Sequence, residues 1–542
     1  MLRNEDFVYC PCRPKRQPRR SASKYVRVRL PGVTALVHDG LRKFISRERR
    51  RQESSGSCIL KATRELMLTA TVETTRMKKF QALVAVILSC FVPLSAHPSE
   101  PARPNIVLVV MDNFGWGEIG AYGGGILRGA PTPRIDSLAD QGLKLRNFNV
   151  EAECTPSRAS LMTGRFAIRT RQRPGDDPQR EIWYGITQWE VTMAEMLTDT
   201  GYATALFGKW HLGDTEGRFP TDQGFDEWYG IPRSSDRSFW PDSDSFQPDA
   251  GAEFTHVMTS SRGEAPRKLE VFNLEMRRAI DREITTRTID FMERQAALKK
   301  PFFTWVSYTQ THEPVEAHPE FKGTTRHGAF ADVLAQTDSY VGDLLDAVDR
   351  LGIRNDTLFI FTADHGREGI PGSFGFTGPW RAGMFSPWEG SMRVSFLARW
   401  PNQIPAGRES IDLVHLVDLF PTFARLTGGK IPDDRVMDGL NMLPFFTGEV
   451  DRSPREWVPV YVQNHFFGVK WRHWKLLLKE MDSDSYAIRE MGYPSVYNLI
   501  VDPKEEVPEL NYLADTWVDA PLYRVMEEHL ASIEADPGAP DP

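Results

Sequence analysis

The side chains best able to do chemistry in this sequence of 542 residues fall into five short clusters. These clusters are DN (112–113), CTPSR (154–158), GKWHLG (208–213), THEP (311–314) and DHG (364–366). Carboxylate and amide oxygens bind hard divalent cations, lysine and arginine bind anions, and histidine transfers protons near neutral pH. A site that united the clusters would bring these three abilities together.

Cys154 is the one cysteine that remains when a predicted signal peptide is set aside. The other four, Cys10, Cys12, Cys58 and Cys90, all lie within residues 1–96. An exported chain with one cysteine cannot form an internal disulfide. Cys154 is therefore a free thiol, a ligand or the precursor of a modified group, and the stability of the mature protein must come from core packing.

The N-terminal region differs from the rest of the chain. Residues 1–76 hold 18 Lys and Arg against 7 Asp and Glu, and we interpret them as a basic disordered tail or as translation begun upstream of the true start. Residues 77–96 have a positive start at Met77, an apolar run and a small-residue cleavage site, which is typical of a signal peptide. We expect a secreted or periplasmic protein. A lipoprotein anchored through Cys90 is the less favoured alternative.

The net charge of −7 is the sum of a basic N-terminal region and a strongly acidic body. An acidic body argues against a nucleic-acid partner, which requires a basic face. A few local cations can still create a positive pocket for an anionic substrate. No apolar run after residue 96 is long enough to cross a bilayer, so we expect no stable membrane span.

Apolar strands precede most of these clusters. Strands are predicted at 105–111, 202–207, 301–308 and 357–362, and helices at 132–143, 191–200, 284–298 and 331–351. Four polar residues follow the strand ends, namely Asp112, Lys209, His312 and Asp364. Sites in open α/β sheets form along the edge where the strands end, so the pattern predicts one shared site.

The alternation of strands and helices predicts an α/β fold with a large, mixed, mostly parallel sheet flanked by helices, in a catalytic domain at 103–450. From about residue 452 the pattern changes to short, partly alternating strands at 458–462, 468–472, 474–479 and 496–503, with a helix near 519–534. These predict a smaller C-terminal subdomain, 451–536, built on an antiparallel sheet. Residues 231–270 are polar and are predicted to form a long insertion loop.

The five clusters, with LMTGR (161–165), WEG (388–390) and YNLIVDP (497–503), resemble the sulfatase family of the alkaline phosphatase superfamily. The resemblance extends over most of residues 103–450 and implies an alkaline phosphatase-like fold. It implies an enzyme that hydrolyses aryl or carbohydrate sulfate monoesters. In that family a formylglycine-generating enzyme oxidises the cysteine of CTPSR to formylglycine, whose hydrate is the nucleophile.

The resemblance also implies a role for each polar residue. The ligands of Ca²⁺ or another divalent cation would be Asp112, Asn113, Asp364, His365 and the modified Cys154. Arg158 would bind the oxygens of the hydrated nucleophile. Lys209 would bind sulfate, His211 would act as the base that assists sulfate release, and His312 would be the acid for the leaving alcohol and would contact the substrate.

Three positions depart from the common family pattern. The family usually has Asp at the place of Asn113 and often Asn at the place of His365. The lost carboxylate at residue 113 should weaken the binding of Ca²⁺. The imidazole at residue 365 suits transition metals better. A second lysine is common where Met384 stands. Our hypothesis is that Arg381, three residues earlier, takes over the sulfate contact.

Other functions remain open at this point. A phosphonate or phosphate ester hydrolase of the same superfamily would use the same formylglycine. A non-catalytic binding protein on this scaffold is a further alternative, because of Asn113 and Met384. A thiol-phosphatase is disfavoured, since Arg158 follows Cys154 by four positions and the phosphate-binding loop of those enzymes requires a different spacing.

Overall fold

A computed structural model describes residues 103–170, 185–369, 375–482, 487–508, 512–536 and 538. The predicted basic segment 1–76, the signal peptide 77–96 and Cys90 lie outside the described residues. Within the described ranges, no helix combines the length and the hydropathy that a bilayer crossing needs.

A large mixed sheet forms the centre of the described part of the chain. Its strands are β1 (Asn105–Met111), β2 (Leu143–Asn149), β3 (Ala203–Gly208), β4 (Glu227–Gly230), β5 (His256–Ser261), β6 (Arg267–Val271), β7 (Phe302–Ser307), β8 (Thr357–Ala363), β9 (Arg393–Arg399), β10 (Arg408–Ser410) and β11 (Val414–His415). The order is β10-β2-β9-β8-β1-β7-β3-β4-β5-β6, and β11 also pairs with β2. Strands β8, β1, β7, β3 and β4 are mutually parallel, which confirms the predicted mostly parallel sheet.

Helices connect the strands and flank this sheet. They are α1 (Pro133–Gln141), α2 (Cys154–Thr163), α3 (Ala167–Thr170), α4 (Met193–Asp199), α5 (Leu274–Leu298), α6 (Ala329–Arg350), α7 (Glu389–Met392), α8 (Leu419–Thr427) and α9 (Leu443–Thr447). Short 3₁₀ turns occur at Gly120–Tyr122, Gly125–Arg128, Pro220–Gln223, Ser235–Asp242, Pro248–Ala250, Arg354–Asp356 and Leu416–Asp418.

The central strands are buried on both faces. Every residue of β7 and β8 is buried, as is β1 beyond its first residue. Their continuous apolar sequences, rich in β-branched and aromatic residues, are typical of parallel strands covered by helices on both sides. This packing holds the strand ends, and the polar residues that follow them, in fixed positions.

Helix α5 begins ten residues before its predicted start. Its N-cap is Asn273, whose side chain accepts a hydrogen bond of 2.9 Å from the backbone N–H of Met276. The first turns carry buried polar residues, Arg277 and Asp281, where an amphipathic helix normally has apolar ones. These two residues hid the helical period from the sequence prediction.

A second, antiparallel sheet lies toward the C-terminus, as predicted. It contains β12 (Trp457–Val462), β13 (His465–Trp471), β14 (Trp474–Met481) and β15 (Ile488–Asn498) in chain order. Helices α10 (Tyr512–Asp515) and α11 (Asp519–Ala535), with a 3₁₀ turn at Thr516–Val518, follow it. Leu522 and Val525 of α11 pack with Val469 and Leu476 in one buried cluster.

The insertion 231–270 is not a continuous loop. Its second half forms the hairpin of β5 and β6, and β5 extends the large sheet beyond β4. The prediction of a loop was wrong here because β6 is exposed along nearly its whole length, so its sequence carries no apolar alternation.

Candidate active site

The ends of parallel strands bring the predicted site residues together. Asp112 follows β1, Lys209 follows β3 and Asp364 follows β8, and all three are buried. The Nζ atom of Lys209 lies 3.0 and 2.9 Å from the two carboxylate oxygens of Asp112. Burial alone raises the pKa of Asp112, but Lys209, His312 and Arg158 outweigh it, so that this pKa lies far below its ordinary value.

Cys154 is the first residue of α2 and sits at the centre of this cluster. Its Sγ atom lies 3.1 Å from Nε2 of His365, 3.4 Å from Nζ of Lys209, and 3.7 Å from Oδ1 of both Asp112 and Asn113. Burial raises the pKa of the Cys154 thiol well above its usual value, and the neighbouring carboxylates add to that effect. A raised pKa disfavours the thiolate that a thiol-phosphatase needs.

Arg158 lies one turn further along α2 and is fully buried. Its Nε and Nη2 atoms donate to Oδ2 of Asp364 at 3.0 and 2.8 Å, and Nη1 donates to the carbonyl of Lys209 at 2.8 Å and to Oγ of Ser307 at 2.7 Å. Nη2 also lies 3.6 Å from Oδ1 of Asp112. Arg158 thus links the ends of β1, β3, β7 and β8.

Four side chains form a cluster able to hold a metal ion. One ligand atom each from Asp112, Cys154, Asp364 and His365 lies within 4.8 Å of the others, and all four residues are buried. Asn113 joins them through Oδ1, while its amide nitrogen is buried with no hydrogen-bond partner among the described residues. Its φ of 58° is left-handed, a conformation that asparagine adopts more readily than most residues.

The imidazole of His365 presents a lone pair to this cluster. Nδ1 lies 2.9 Å from the carbonyl of Gly366 and must donate to it, so Nε2 is the acceptor that faces Cys154. Burial lowers the pKa of His365, which keeps the ring neutral. A neutral imidazole oriented by a backbone carbonyl is a common metal ligand.

Lys209 and His211 come from the same turn after β3. Burial lowers the pKa of Lys209, but the neighbouring carboxylate of Asp112 more than reverses that effect, so the amine stays charged. Burial lowers the pKa of His211 well below its usual value, and the charge of Lys209 lowers it further. At neutral pH the turn therefore offers a cation and a neutral imidazole side by side.

His312 reaches the cluster through Ser234. Nε2 of His312 lies 3.0 Å from Oγ of Ser234, and that oxygen accepts a 3.4 Å hydrogen bond from Nζ of Lys209. Nδ1 of His312 lies 2.8 Å from the carbonyl of Glu313, so Nε2 is the nitrogen that can exchange a proton with a ligand. Arg277 fixes the turn by donating to the carbonyl of His312 at 2.7 Å.

Sequence reasoning missed Ser234 because β4 was not recognised. β4 is parallel to β3 and ends at Gly230, four residues before this serine. The rule that selected the polar residues after the other strands would have selected Ser234 as well. The large sheet thus supplies a fifth strand end to the site.

Ser234→Ala is expected to lower kcat/KM about 5- to 10-fold, because it removes the hydroxyl that hydrogen-bonds both Lys209 and His312. Steady-state kinetics across pH would measure the loss. Ser261→Ala, an exposed serine of β5, is the matched control. An unchanged rate and pH profile in Ser234→Ala would remove this serine from the site.

Arg381 is placed differently from the hypothesis. Its Nη1 atom donates to the carbonyl of Glu505 at 2.7 Å, and its guanidinium carbon lies 3.8 Å above the ring centre of Trp388. Both partners lie outside the cluster around Cys154, so we assign Arg381 no contact with sulfate. Met384 donates its backbone N–H to the carbonyl of Arg367 at 2.8 Å.

The carboxylate of Glu151 links the C-terminal half of α2 to the start of α3. Its Oε1 atom accepts hydrogen bonds from Oγ of Ser160 at 2.9 Å and from the N–H of Ala167 at 3.2 Å. Burial is the main cause that raises the pKa of Glu151 to about 7. The folded state then binds a proton more tightly than the unfolded chain, so this group's contribution to stability falls as pH rises from about 4.5 to about 7.

Glu151→Gln is therefore expected to raise the free energy of unfolding at pH 8 by about 1–3 kcal/mol and to change it little at pH 5. Urea unfolding at both pH values measures the difference. Glu449→Gln, at an exposed glutamate, should show no pH-dependent effect. Equal destabilisation by Glu151→Gln at the two pH values would mean that the carboxylate is ionised at pH 5 already.

Comparison with known proteins decides the family. The sequence model of the family described as Sulfatase matches residues 104–429, which is more than half of the chain. The chain is a member of the sulfatase family. A second model, described as N-sulphoglucosamine sulphohydrolase, C-terminal, matches residues 384–535 of this sulfatase.

Individual relatives agree with the family assignment. Rat N-acetylgalactosamine-6-sulfatase is 36% identical over 375 residues, covering 67% of this sulfatase and 69% of the relative. Mouse steryl-sulfatase is 32% identical over 456 residues, covering 72% of each. The solved PsFucS1 sulfatase from Pseudoalteromonas sp. superimposes with a TM-score of 0.74 at 28% identity, over 81% of this chain and 92% of that one. The protein is thus an enzyme that hydrolyses sulfate esters.

Proposed function

We propose that this sulfatase cleaves aryl or carbohydrate sulfate monoesters with a formylglycine made from Cys154 and with the help of a divalent cation. The observation that carries the proposal is the position of Cys154, whose Sγ atom lies within 3.7 Å of polar atoms of Asp112, Asn113, Lys209 and His365. Three of these neighbours are candidate ligands of a cation through carboxylate, amide and imidazole atoms, and the fourth, Lys209, is a cation that can bind sulfate.

The donor set fits a divalent cation. Carboxylate and amide oxygens suit Ca²⁺, and the neutral imidazole of His365 extends the choice toward transition metals. A bond from Oδ1 of Asn113 to a cation would offset the cost of its unpaired, buried amide nitrogen. When bound, the cation lowers the pKa of the attacking hydroxyl and neutralises a sulfate oxygen.

We infer that conversion of Cys154 precedes folding. In the folded chain Cys154 is 7% exposed, and all ten residues of α2 are buried, so a modifying enzyme has no access to the CTPSR segment. A formylglycine-generating enzyme is therefore the proposed partner during synthesis. Hydrated formylglycine supplies two hydroxyls, one to attack sulfur and one whose deprotonation expels sulfate.

The remaining side chains are proposed to bind and to move protons. Lys209 binds the sulfate group, and Arg158 orients the carboxylate of Asp364 through its two hydrogen bonds. Neutral His211 accepts the proton from the second hydroxyl. His312 donates a proton from Nε2 to the leaving alcohol and contacts the substrate, with Ser234 fixing the direction of that atom.

Sulfate release from sulfated sugars and from an aryl sulfate tests the proposed function. The protein should be co-produced with a formylglycine-generating enzyme, and release of phosphate from the matching aryl phosphate should be measured beside it. We expect kcat/KM for the sulfate ester to exceed that for the phosphate ester. A preference for phosphate or phosphonate would favour the alternative hydrolase of the same superfamily.

Removal of the cation is expected to lower kcat at least about 100-fold, because a bound cation contributes several kcal/mol to stabilising the transition state. Dialysis against a chelator, followed by addition of Ca²⁺, Mg²⁺, Mn²⁺ or Zn²⁺ separately, measures the loss and identifies the ion. Metal analysis would show how much cation remains bound. Full activity with less than one-tenth of an equivalent of bound cation would contradict a role for the cation.

Export is proposed on the sequence pattern of residues 77–96. Cys154 is the one cysteine of the described residues, and it is free, as expected of a chain that does not depend on disulfides. N-terminal sequencing of the protein from its native host would show a start near residue 97 if the signal is cleaved.

A further inference from the structure

Glu368 is a buried carboxylate beside His312, the proposed proton donor. It belongs to the loop after β8, four residues beyond Asp364, and its side chain is 3% exposed. Its Oε2 atom accepts a hydrogen bond of 2.9 Å from the backbone N–H of Glu313, and its Oε1 atom lies 3.9 Å from Nδ1 of His312. The carboxylate therefore contacts both the backbone next to His312 and the ring nitrogen that does not face Ser234.

Among the described residues, these two contacts are the polar contacts of the Glu368 carboxylate. Burying a carboxylate is costly unless hydrogen bonds or opposite charges replace its lost hydration. The buried carboxylates of Asp112 and Asp364 have Lys209 and Arg158 as their partners. Within the same described ranges the carboxylate of Glu368 is instead bound to the turn at His312, so its position serves that turn.

Arg277 holds the same turn by its carbonyls. It donates to the carbonyl of His312 at 2.7 Å and to that of Pro314 at 3.1 Å, while Glu368 accepts from the N–H of Glu313. Side chains from α5 and from the loop after β8 thus fix the backbone at 312–314. The carbonyl of Glu313 in turn lies 2.8 Å from Nδ1 of His312 and orients the ring. The direction of Nε2 therefore depends on how firmly this backbone is held.

We propose that Glu368 is a positioning residue for proton transfer to the leaving alcohol. By holding the N–H of Glu313, it keeps the carbonyl of that residue on Nδ1 of His312, so that Nε2 is directed at the leaving oxygen. The proton on Nε2 passes to the oxygen that keeps the electron pair of the breaking S–O bond. A hydrogen bond to an ionised acceptor is about twice as strong as a neutral one, which suits this task. The inference rests on the proposed function, in which His312 is the acid.

Two aryl sulfates of similar size but different leaving groups test this proposal. The phenol released from 4-methylphenyl sulfate matches the tyrosine side chain, with a pKa of about 10, and needs a proton as it leaves. The phenol released from 4-nitrophenyl sulfate is a far stronger acid and leaves without one. General acid catalysis contributes about 10²- to 10⁴-fold where a proton is needed. We expect Glu368→Ala to lower kcat/KM about 20-fold for the methyl compound and less than about threefold for the nitro compound.

The ratio of the two kcat/KM values is the decisive quantity, because it does not depend on the fraction of protein that is folded or that carries formylglycine. An equal loss on both substrates in Glu368→Ala would indicate a merely structural role and would overturn the proposal. Glu368→Gln keeps an oxygen that can accept from the N–H of Glu313, so it should restore the ratio to within about threefold of wild type. A ratio as low in Glu368→Gln as in Glu368→Ala would also overturn it.

Glu316→Ala is the matched control. Glu316 follows His312 by four residues, and its carboxylate lies 2.8 Å from Nε of Arg278. Removing that carboxylate should leave the ratio within about twofold of wild type. A larger fall of the ratio in Glu316→Ala would mean that any change in this segment disturbs the acid, which would count against a specific role for Glu368.

A double-mutant cycle shows whether Glu368 acts through His312. His312→Ala should lower the ratio at least as much as Glu368→Ala does. Adding Glu368→Ala to His312→Ala should then change the ratio by less than about twofold, because the ring through which Glu368 acts is gone. A further large fall of the ratio in the double variant would overturn the proposal.

Failure of the proposed function would give different results. The wild type would then release no sulfate from either ester, or His312→Ala would leave the ratio of the two substrates unchanged. Failure of the present inference would leave the wild-type activity and the effect of His312→Ala intact, and the ratio would be that of the wild type in Glu368→Ala.

Discussion

Cys154→Ala protein is expected to lose at least about 10⁴-fold in kcat, because alanine cannot be converted to the aldehyde that supplies both hydroxyls of the nucleophile. The loss should fall on kcat, since Lys209, Arg158 and the candidate metal ligands still form the binding site. Stability should change by no more than about 1 kcal/mol, because the thiol is small and its contacts within 3.7 Å are weak hydrogen bonds. Steady-state kinetics and urea unfolding measure the two quantities.

Cys154→Ser is the informative partner of that variant. A serine hydroxyl can attack sulfur, but it has no second hydroxyl whose deprotonation would expel sulfate. We expect one turnover at most, with the protein left heavier by about 80 Da through the retained sulfate group. Multiple turnovers by either variant would mean that residue 154 does not supply the nucleophile.

Arg158→Met is expected to lower the free energy of unfolding by about 3–5 kcal/mol, because it leaves the buried carboxylates of Asp364 and Asp112 without their shared cation. The change also leaves the carbonyl of Lys209 and the hydroxyl of Ser307 without a donor. The same loss of orientation should reduce kcat/KM at least about 100-fold.

The unfolding measurement for Arg158→Met should be made with a chelator present, so that no cation neutralises the two carboxylates. Arg425→Met, at an exposed arginine of α8, is the matched control and should change stability by less than about 0.5 kcal/mol. If Arg158→Met unfolds at the wild-type urea concentration, the ion pairs of Arg158 contribute no more than their desolvation cost, and its proposed role would rest on catalysis alone.

Sequence patterns predicted the architecture well where burial is uniform. The strand Asn105–Met111 matches its predicted bounds, because a continuous apolar run between polar residues has few other interpretations. The same reasoning located the ends of β3, β7 and β8 to within one residue, and so the edge where Asp112, Lys209 and Asp364 meet. That these side chains contact Cys154 follows from the parallel order of the strands.

The remaining features depended on contacts that no local pattern encodes. β6 is exposed and shows no apolar alternation. At the start of α5, Arg277 and Asp281 interrupt the apolar period of the helix, because they face inward and hold the turn before His312. The placement of Arg381 could not be predicted from its distance along the sequence to the WEG cluster. Trp388 belongs to that cluster, but the other partner, Glu505, lies more than a hundred positions away in the chain. Ser234 follows a strand of four residues, which is too short to stand out.

Mass spectrometry of the tryptic peptide 147–158, from protein made in its native host, tests the central claim most directly. Conversion of Cys154 to formylglycine lowers the mass of this peptide by about 18 Da and removes its reaction with thiol-alkylating reagents. We predict the lighter, unreactive peptide in active protein. An unmodified, alkylatable cysteine in protein that hydrolyses sulfate esters would contradict the mechanism proposed for this sulfatase.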